Sequence, residues 1–393
     1  MMVITDEKKI DELLSRGVEN TYPSKDELKK ALSSGKSLSI YNVIDPTGPS
    51  LHIGHVSTLL KLRELQDLGH EIILLIGDFT GRIGDPTDKS ATRKQLSTKE
   101  IKDNLKNYTK QAGSILDMKK VKVKFNSTWL SKLSFEKLIE IASEFTVQQM
   151  IERDMFTKRI KEGHPVHLHE FFYPLMQGYD SVAMDVDMEI GGNDQTFNML
   201  VGRTMMKNRG KEKYVLTTKL LVDPTGKKMG KSEGNMVTLE DDPENMFGKV
   251  MSWPDSLMPL AFEICTRVPT AEALALTSGN PMDAKITLAY EIVKIYHGEK
   301  KATAARENFR NTFQNKEIPD EMEEVQVSSG GLLSEALVAG KILPSKSEWR
   351  RLVAGKAIHD LLADTHITDP DFKVANELKL KIGKKKFIHV KLK

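Results

Sequence analysis

The segment that decides the fold is LSIYNVIDPTGPSLHIGHVSTLLKLRELQDLGHEIILLIGD, residues 38–78. Its two ends, residues 38–45 and 71–78, are short apolar runs that predict buried strands. Between them, residues 50–68 carry leucines at helical spacing, and Gly69 provides a stop signal for that helix. A strand, a helix and a second strand in this order predict one βαβ unit of a parallel sheet.

The same alternation continues through the first 220 residues. A capping box at Ser97 predicts a helix that reaches about residue 118, and residues 121–125 predict the strand that follows it. Residues 182–190 alternate apolar and polar side chains without error, which predicts a strand that the next two glycines end. The predicted fold class is therefore α/β, with helices on the faces of a parallel sheet.

Length and local composition divide the chain further. A chain of 393 residues suggests two or three domains. Residues 243–313 have a helical pattern, and residues 316–331 are acidic and contain Ser-Ser-Gly-Gly, which indicates a linker. We therefore predict a sheet domain over residues 1–220 with a helical insertion at about 125–165, a helical domain over 221–315, the linker, and a small α+β domain over 332–393.

Charge and cysteine usage restrict the class of protein. Residues 341–393 contain 13 Lys/Arg against 6 Asp/Glu, an excess that predicts a basic tail domain for nucleic acid or another acidic surface. With 39% hydrophobic and 29% charged residues, the composition excludes a disordered chain. The single cysteine, Cys265, excludes an internal disulfide and a CxxC zinc ribbon. Because the sequence also lacks a long apolar run and a signal-peptide pattern, we expect a cytoplasmic protein.

The turn after the first predicted strand carries a candidate phosphate site. His52 and His55 are three residues apart at the start of a predicted helix, where unpaired N–H groups favour anions. Two imidazoles in this position donate hydrogen bonds to a phosphate that gains charge in a transition state. Gly54 between them allows close approach of a ligand to the backbone. The alternative interpretation is a pair of helix-capping histidines.

A second loop, DPTGKKMGKS at residues 223–232, is rich in glycine and lysine. It is not a P-loop, because only three residues separate Gly226 from Gly230 where the P-loop has four. Its lysines, Lys228 and Lys231, suit a leaving pyrophosphate. The alternative is a solvated lysine turn.

The two motifs together identify a family. Residues 52–55 are a HIGH signature and residues 228–232, KMGKS, differ by one residue from KMSKS; the pair resembles the class I aminoacyl-tRNA synthetases. Residues 173–181, YPLMQGYDS, and residues 191–195, GGNDQ, resemble the amino-acid pocket of the bacterial tyrosyl enzymes. The resemblance covers nearly the whole chain. It implies a Rossmann-type catalytic domain, an α-helical domain and a small RNA-binding domain.

The resemblance also implies roles for individual residues. Tyrosine would be bound by Tyr41, Asp85, Tyr173, Gln177, Asp180 and Gln195, with Tyr41 and Asp180 on the phenol hydroxyl. ATP, with its Mg²⁺, would be bound by Asp45, Gly54, Thr58, Gly192, Asp194 and Met229. Catalysis would use His52, His55, Thr47, Lys89, Arg93, Lys228, Lys231 and Ser232. The tRNA would contact Lys346, Arg350, Arg351, Lys384, Lys385 and Lys386 in the tail. A homodimer is implied, with the helical insertion as its interface.

The residues themselves support this pocket. Tyr173, Gln177 and Asp180 fall at i, i+4 and i+7, so on a helix they form one polar stripe. A buried stripe requires a polar ligand, whereas the alternative is a stripe that faces solvent. The departures from the family pattern are Asn42 and Val43 before Asp45, and Gly230 in the KMSKS position. A separate cluster, His164, His167 and His169, lacks the companion ligands of a metal site, so we predict none.

Three rival functions remain open from the sequence. A tryptophanyl enzyme on the same scaffold is disfavoured by Tyr41 and Asp180, because an indole does not need partners for a hydroxyl. A nucleotidylyltransferase for a small metabolite is disfavoured by the KMGKS loop and the basic tail. A non-catalytic RNA-binding protein is disfavoured because both histidines and both loop lysines are present.

Overall fold

The computed structural model describes residues 3–85, 96–222, 236–311, 322–363, 365–383 and 386–392. The chain forms two compact units, residues 1–303 and residues 304–393. Each unit contains its own β-sheet. The helical segment that we predicted as a separate domain lies, up to residue 303, in the same compact unit as the first sheet.

The first unit contains a six-stranded sheet with the strand order β1-β6-β5-β2-β3-β4. Strands β2 to β6 pair in parallel, and β1 joins the edge antiparallel to β6. This confirms the predicted parallel sheet, with β2 at a central position where β3 and β5 flank it. The strands are β1 Val18–Tyr22, β2 Ser39–Ile44, β3 Glu71–Ile76, β4 Val121–Phe125, β5 Met188–Gly192 and β6 Tyr214–Thr218.

Helices connect and cover these strands, as the βαβ pattern requires. The first twelve are α1 Glu7–Leu13, α2 Lys25–Leu32, α3 Val56–Asp67, α4 Thr80–Ile83, α5 Thr98–Leu105, α6 Tyr108–Ala112, α7 Ser127–Leu130, α8 Phe135–Ala142, α9 Val147–Ile151, α10 Asp154–Lys161, α11 Leu168–Met184 and α12 Thr196–Asn208. The helical segment after the sheet contains α13 Pro243–Met251, α14 Met258–Cys265, α15 Thr270–Thr277, α16 Pro281–His297 and α17 Glu299–Phe309. Within the first unit, α14 packs against α3 and α13 packs against α16.

The predicted strand over residues 182–190 is wrong in its first half. Helix α11 continues to Met184, and strand β5 begins only at Met188. The helix ends because Asp185 adopts a left-handed conformation with a φ of 51°, which places the backbone of residues 185–187 in a turn. Val182 and Met184 are apolar because they pack from the helix into the core, so they extended the alternation of β5 by coincidence.

Other boundaries differ less. The helix predicted from residue 97 to about 118 divides into α5 and α6, although its capping box is present, with Glu100 N donating to Ser97 Oγ at 3.2 Å. The helix predicted over residues 50–68 begins later, at Val56, after a short 3₁₀ turn. The edge strand β1 was not predicted, because its side chains do not alternate between buried and exposed positions.

The second unit has a five-stranded sheet with the order β7-β11-β10-β8-β9. Its elements are β7 Glu323–Val327, α18 Leu333–Ala339, α19 Lys346–Ala354, β8 Ile358–Asp360, β9 Thr365–His366, β10 Leu378–Ile382 and β11 Lys386–Leu392. The linker predicted over residues 316–331 is therefore wrong where β7 lies. Val325 and Val327 are buried, and β7 pairs in parallel with β11, so this strand belongs to the folded unit.

Candidate active site

A cavity of about 500 Å³ opens at the carboxyl ends of β2 and β5. This is the edge of a parallel sheet where ligands bind, because the loops after neighbouring strands meet there. Fourteen of the predicted tyrosine, ATP and catalytic residues are described by the structure. Twelve of them line the cavity: Asp45, Thr47, His52, Gly54, His55, Thr58, Asp85, Tyr173, Gln177, Gly192, Asp194 and Gln195. The other two, Tyr41 and Asp180, are fully buried and lie outside that lining.

The HIGH histidines lie at one wall of the cavity and also shape their own turn. The Nδ1 atom of His52 accepts from Gly54 N, and the Nδ1 atom of His55 accepts from His52 N, each at 3.2 Å. Because Nδ1 is an acceptor in both rings, each neutral imidazole carries its proton on Nε2. Burial, and to a smaller extent His52, lowers the pKa of His55 to about 3, so this ring is neutral at pH 7. The two histidines therefore cap their own turn and also line the cavity, so the two interpretations of the pair do not exclude each other.

Asp45 connects this wall to helix α11. Its two carboxylate oxygens accept hydrogen bonds from Thr80 Oγ1 at 2.7 Å and from the Tyr173 hydroxyl at 2.8 Å. A Cβ atom at Gly77 would lie 1.9 Å from Asp45 Oδ1, so only glycine fits at that position. Burial raises the pKa of Tyr173 well above its usual value, with Asp45 as the next cause.

The polar stripe of α11 is buried, so the solvent-facing alternative is wrong. Tyr173, Gln177 and Asp180 are 4%, 2% and 0% exposed. Gln177 donates from Nε2 to Glu189 Oε1 at 3.0 Å, and its Oε1 accepts from Asn198 at 3.0 Å. The stripe therefore carries polar groups into the interior and has internal partners for them.

The hydrogen bonds continue from Asn198 to the far side of the cavity. Asn198 Nδ2 also donates to Gln195 Oε1 at 3.0 Å, and Gln195 Nε2 donates to Asp85 Oδ2 at 2.7 Å. Arg153 then donates to the other Asp85 oxygen at 3.2 Å. Three of the predicted tyrosine-binding residues, Gln177, Gln195 and Asp85, are thus held in one network.

Asp180 and Tyr41 have partners that the sequence analysis did not name. The Asp180 carboxylate accepts from Trp129 Nε1 at 2.7 Å and from Asn126 Nδ2 at 3.2 Å. Burial raises the pKa of Asp180 well above its usual range, and these two hydrogen bonds oppose that rise. The Tyr41 hydroxyl lies 2.8 Å from Ser181 Oγ. Asn126 directly follows a strand of the parallel sheet, which is the signal that would have found it.

Six predicted residues lie outside the described residues: Lys89, Arg93, Lys228, Met229, Lys231 and Ser232. The chain just after the KMGKS segment does lie beside the HIGH turn. Ile53 N donates to Val237 O at 2.9 Å, and Leu239 N donates to Leu51 O at 3.0 Å. The chain just before that segment contacts α3, where Thr218 Oγ1 lies 3.2 Å from Ser57 Oγ.

In the second unit, the candidate RNA-binding residues are partly paired with acids. Lys346 lies 2.8 Å from a Glu335 oxygen, and Arg351 lies 2.6 Å from a Glu348 oxygen. Lys386 donates to Ile342 O at 2.8 Å. Arg350 is exposed on α19, while Lys384 and Lys385 lie outside the described residues.

The described residues also bear on metal binding and on membrane-spanning helices. Within the part of the chain that the structure describes, no group of three His, Cys, Asp or Glu side chains is placed to hold a metal ion. His164, His167 and His169 therefore form no such group, and Glu170 nearby is paired with Arg159 at 2.6 Å. Among the same residues, no helix is both long and apolar enough to cross a membrane.

Comparison with known proteins gives a consistent result. The tyrosine–tRNA ligase of Moorella thermoacetica is 44% identical over 95% of this chain and 94% of its own. That of Carboxydothermus hydrogenoformans is 43% identical over 99% of both chains. The crystal structure of a C-terminally truncated Coccidioides posadasii mitochondrial tyrosyl-tRNA synthetase has a TM-score of 0.63 at 25% identity, and covers 76% of this chain and 91% of that one. Residues 33–314 match the family tRNA synthetases class I (W and Y), and the chain belongs to that family.

Proposed function

We propose that this chain is a tyrosine–tRNA ligase, which activates L-tyrosine with ATP and transfers the tyrosyl group to the 3′ end of tRNA(Tyr). The observation that carries the proposal is the cavity at the ends of β2 and β5. It brings His52 and the neutral His55 together with the buried polar stripe of α11. The relatives that match the chain over nearly its full length bear the same name.

The chemistry has two steps. The tyrosine carboxylate oxygen attacks the α-phosphorus of ATP, and the bond to the β-phosphate bridging oxygen breaks, releasing pyrophosphate. A ribose hydroxyl of the tRNA terminus then attacks the tyrosyl carbonyl, and AMP leaves. No side chain forms a covalent bond, so the protein acts by positioning and by stabilising charge on the phosphates.

The histidine wall fits the phosphate end of this reaction. Neutral His52 and His55, with their protons on Nε2, donate to phosphate oxygens without adding a charge that must be desolvated. We propose that Thr47 assists them and that Lys89, Arg93, Lys228, Lys231 and Ser232 bind the leaving pyrophosphate. Mg²⁺ enters with ATP as part of the substrate and neutralises phosphate charge. Asp45, Gly54, Thr58, Gly192, Asp194 and Met229 are proposed to hold the adenosine part.

The α11 side of the cavity fits tyrosine. An α-ammonium group offers three donors, and acceptor oxygens of Asp85, Tyr173 and Gln177 line the cavity. Gln195 supports Asp85 from the side. Asp180 and Tyr41, deeper along α11 and β2, are proposed to bind the phenol hydroxyl.

The proposal predicts amino-acid-dependent exchange of pyrophosphate into ATP without tRNA. Tyrosine should support exchange, whereas phenylalanine and tryptophan should reach only a small fraction of its rate, because phenylalanine leaves buried polar partners unpaired. The assay compares the three amino acids at equal concentration with the full chain. Exchange with tryptophan would favour the tryptophanyl alternative, and no exchange with any of them would favour a non-catalytic RNA-binding protein.

We propose that the second unit binds tRNA through Arg350, Lys346, Arg351 and the lysines at 384–386. Because residues 304–393 form a compact unit with a separate core, a chain that ends at residue 311 should keep the first unit folded. We expect this truncation to weaken tRNA charging by at least about tenfold, since phosphate contacts supply much of the affinity for nucleic acids. Tyrosine-dependent exchange should stay within about twofold of the full chain. Loss of exchange by a folded truncated chain would contradict this division of labour.

We also propose that the cytoplasmic enzyme is a homodimer whose interface includes the helical insertion. Large apolar side chains in this segment and directly after it are exposed: Phe125, Phe135, Ile139, Val147, Ile160 and Leu168. Such a set of exposed apolar residues is typical of a surface that another protein covers. Sedimentation velocity of the full chain measures the state, and a species with the mass of one chain would contradict the proposal.

A further inference from the structure

Lys213 is a lysine with no exposed surface, directly before β6. Its ammonium donates to Ser181 Oγ at 2.7 Å, to Met199 O at 3.2 Å and to the Glu189 carboxylate. A lysine has three donors, and each of these is used here. A buried charge is costly unless it is paired and hydrogen-bonded, so an arrangement of this kind requires a close fit around the ammonium.

The neighbouring backbone leaves room for this ammonium. A Cβ atom at Gly202 would lie 2.6 Å from Lys213 Nζ and 2.8 Å from Ser181 Oγ. Gly202 on α12 also faces Gly178 on α11, where an added Cβ would lie 3.1 Å from Gly202 N. Helices α11 and α12 therefore approach closely at two glycines, and the space left by Gly202 is where Lys213 reaches Ser181.

One hydrogen bond of the Lys213 ammonium connects it to a residue that lines the cavity. Glu189, which lines the cavity, accepts from Lys213 through Oε2 and from Gln177 Nε2 through Oε1. With the lysine present, both carboxylate oxygens have a donor, and Gln177 is held in one orientation. Its Oε1 then points away from Glu189, toward Asn198.

A second hydrogen bond, to Ser181, connects the ammonium to Tyr41. A lysine ammonium is only a donor, so its bond to Ser181 Oγ leaves the serine proton for another partner. Tyr41 Oη, at 2.8 Å from that oxygen, accepts it in this arrangement. Tyr41 then keeps its own proton to donate, and the Glu189 carboxylate is one acceptor within its reach. The ammonium also lies 5.5 Å from the centre of the Tyr41 ring, over its face.

We propose that Lys213 is a positioning residue for tyrosine recognition, which orients Gln177 through Glu189 and sets Tyr41 as a hydrogen-bond donor through Ser181. The inference rests on the proposed tyrosine–tRNA ligase function. Lys213 does not itself line the cavity, so it acts through these residues and not on the substrate.

The test is Lys213→Met, assayed by pyrophosphate exchange with tyrosine and phenylalanine. We expect the KM for tyrosine to rise by about tenfold or more, because the loss disturbs at least one hydrogen bond to a charged group. The KM for ATP should change by less than about twofold, and the preference for tyrosine over phenylalanine should fall by about tenfold. A merely structural role would lower the active fraction and leave both KM values and the preference unchanged.

Lys211→Met is the matched control. Lys211 lies two residues earlier, is partly exposed and pairs at the surface with Asp185 and Asp187 at 3.0 and 3.3 Å. Its kinetics should equal those of the unmodified enzyme. If the unmodified enzyme itself shows no tyrosine-dependent exchange, the proposed function fails; if it is active and Lys213→Met keeps its KM and preference, the positioning role fails.

Ser181→Ala keeps the test decisive should Lys213→Met fail to fold. This substitution removes the hydrogen bond between Ser181 and Tyr41 and leaves the pair between Lys213 and Glu189 in place. We expect the tyrosine-over-phenylalanine preference to fall by about three- to tenfold, with the KM for ATP unchanged, in a protein that melts cooperatively. A folded Ser181→Ala variant with the original preference would overturn the Tyr41 part of the proposal.

Discussion

Replacing Asp180 with asparagine is expected to lower kcat/KM for tyrosine by about 10- to 100-fold, the equivalent of one charge-assisted hydrogen bond. Asp180 is 0% exposed, and burial makes its charge costly. A carboxylate has about four lone-pair sites, and Trp129 and Asn126 use two of them. The remaining acceptor capacity is available to a phenol O–H group.

Position along the helix supports this use. Asp180 lies three residues after Gln177, about 4.5 Å farther along the axis of α11, and Gln177 lines the cavity. A tyrosine whose ammonium group is bound near Tyr173 and Gln177 would direct its side chain along the same stripe. Asparagine at this position keeps one acceptor oxygen but turns an amide N–H₂ toward the Trp129 or Asn126 donors.

Phenylalanine is the informative comparison for this variant. It has no hydroxyl to lose, so its kcat/KM should change by less than about threefold, and the preference between the two amino acids should shrink. Equal losses for both amino acids would show that Asp180 is structural. Asp185→Asn is the matched control, because Asp185 is 80% exposed at the end of the same helix and asparagine tolerates its left-handed conformation.

The fold was predictable where the periodicity of apolar residues agrees with the βαβ order of a parallel sheet. The βαβ unit of β2, α3 and β3 follows from residues 38–78, because strand and helix periods change at turn residues within one short segment. The error at residues 182–184 has a different origin. Two consecutive elements, α11 and β5, both place apolar side chains toward the core, and the alternation carries no information about the turn between them.

The site was predictable to a similar degree. Motif residues meet at one edge because the carboxyl ends of parallel strands lie together, so His52, Asp45 and Gly192 line one cavity. The supporting residues were not predictable. Lys213 is 32 residues from Ser181, and Ser181 is 140 from Tyr41, and a lone lysine at the start of a strand gives no signal that it is buried.

The second large effect is expected at His55. We predict that His55→Asn lowers kcat for tyrosine-dependent exchange by about 100- to 1000-fold, the usual loss when one donor to a developing oxyanion is removed. Asparagine preserves the acceptor that His52 N uses but has no group at the Nε2 position. The KM for tyrosine should change by less than about twofold, because the residues proposed to bind the phenol and the ammonium group do not include His55.

His55→Gln distinguishes the contribution of the Nε2 donor from that of the Nδ1 acceptor. Its longer side chain places an N–H₂ group near the Nε2 position, so it should retain at least about tenfold more activity than His55→Asn if the donor is what matters. Equal losses in the two variants would contradict that role. His70→Asn is the control, since His70 is buried and, like His55, neutral, with its pKa lowered to about 4 by burial, and its Nδ1 accepts from Leu38 N at 3.3 Å. His70 lies outside the cavity, and its variant should keep the original kcat.

The pH dependence of kcat in the same assay distinguishes a neutral His55 from a protonated one. Because burial holds its pKa at about 3, the ring stays neutral from pH 6 to pH 8, and protonation of His55 contributes no change in kcat across that range. If an imidazolium were the working form, kcat would rise as the pH falls through this range, and His55→Asn would abolish that rise. A pH profile of equal shape for the original enzyme and His55→Asn, separated by a constant factor, is therefore the result expected of a neutral hydrogen-bond donor.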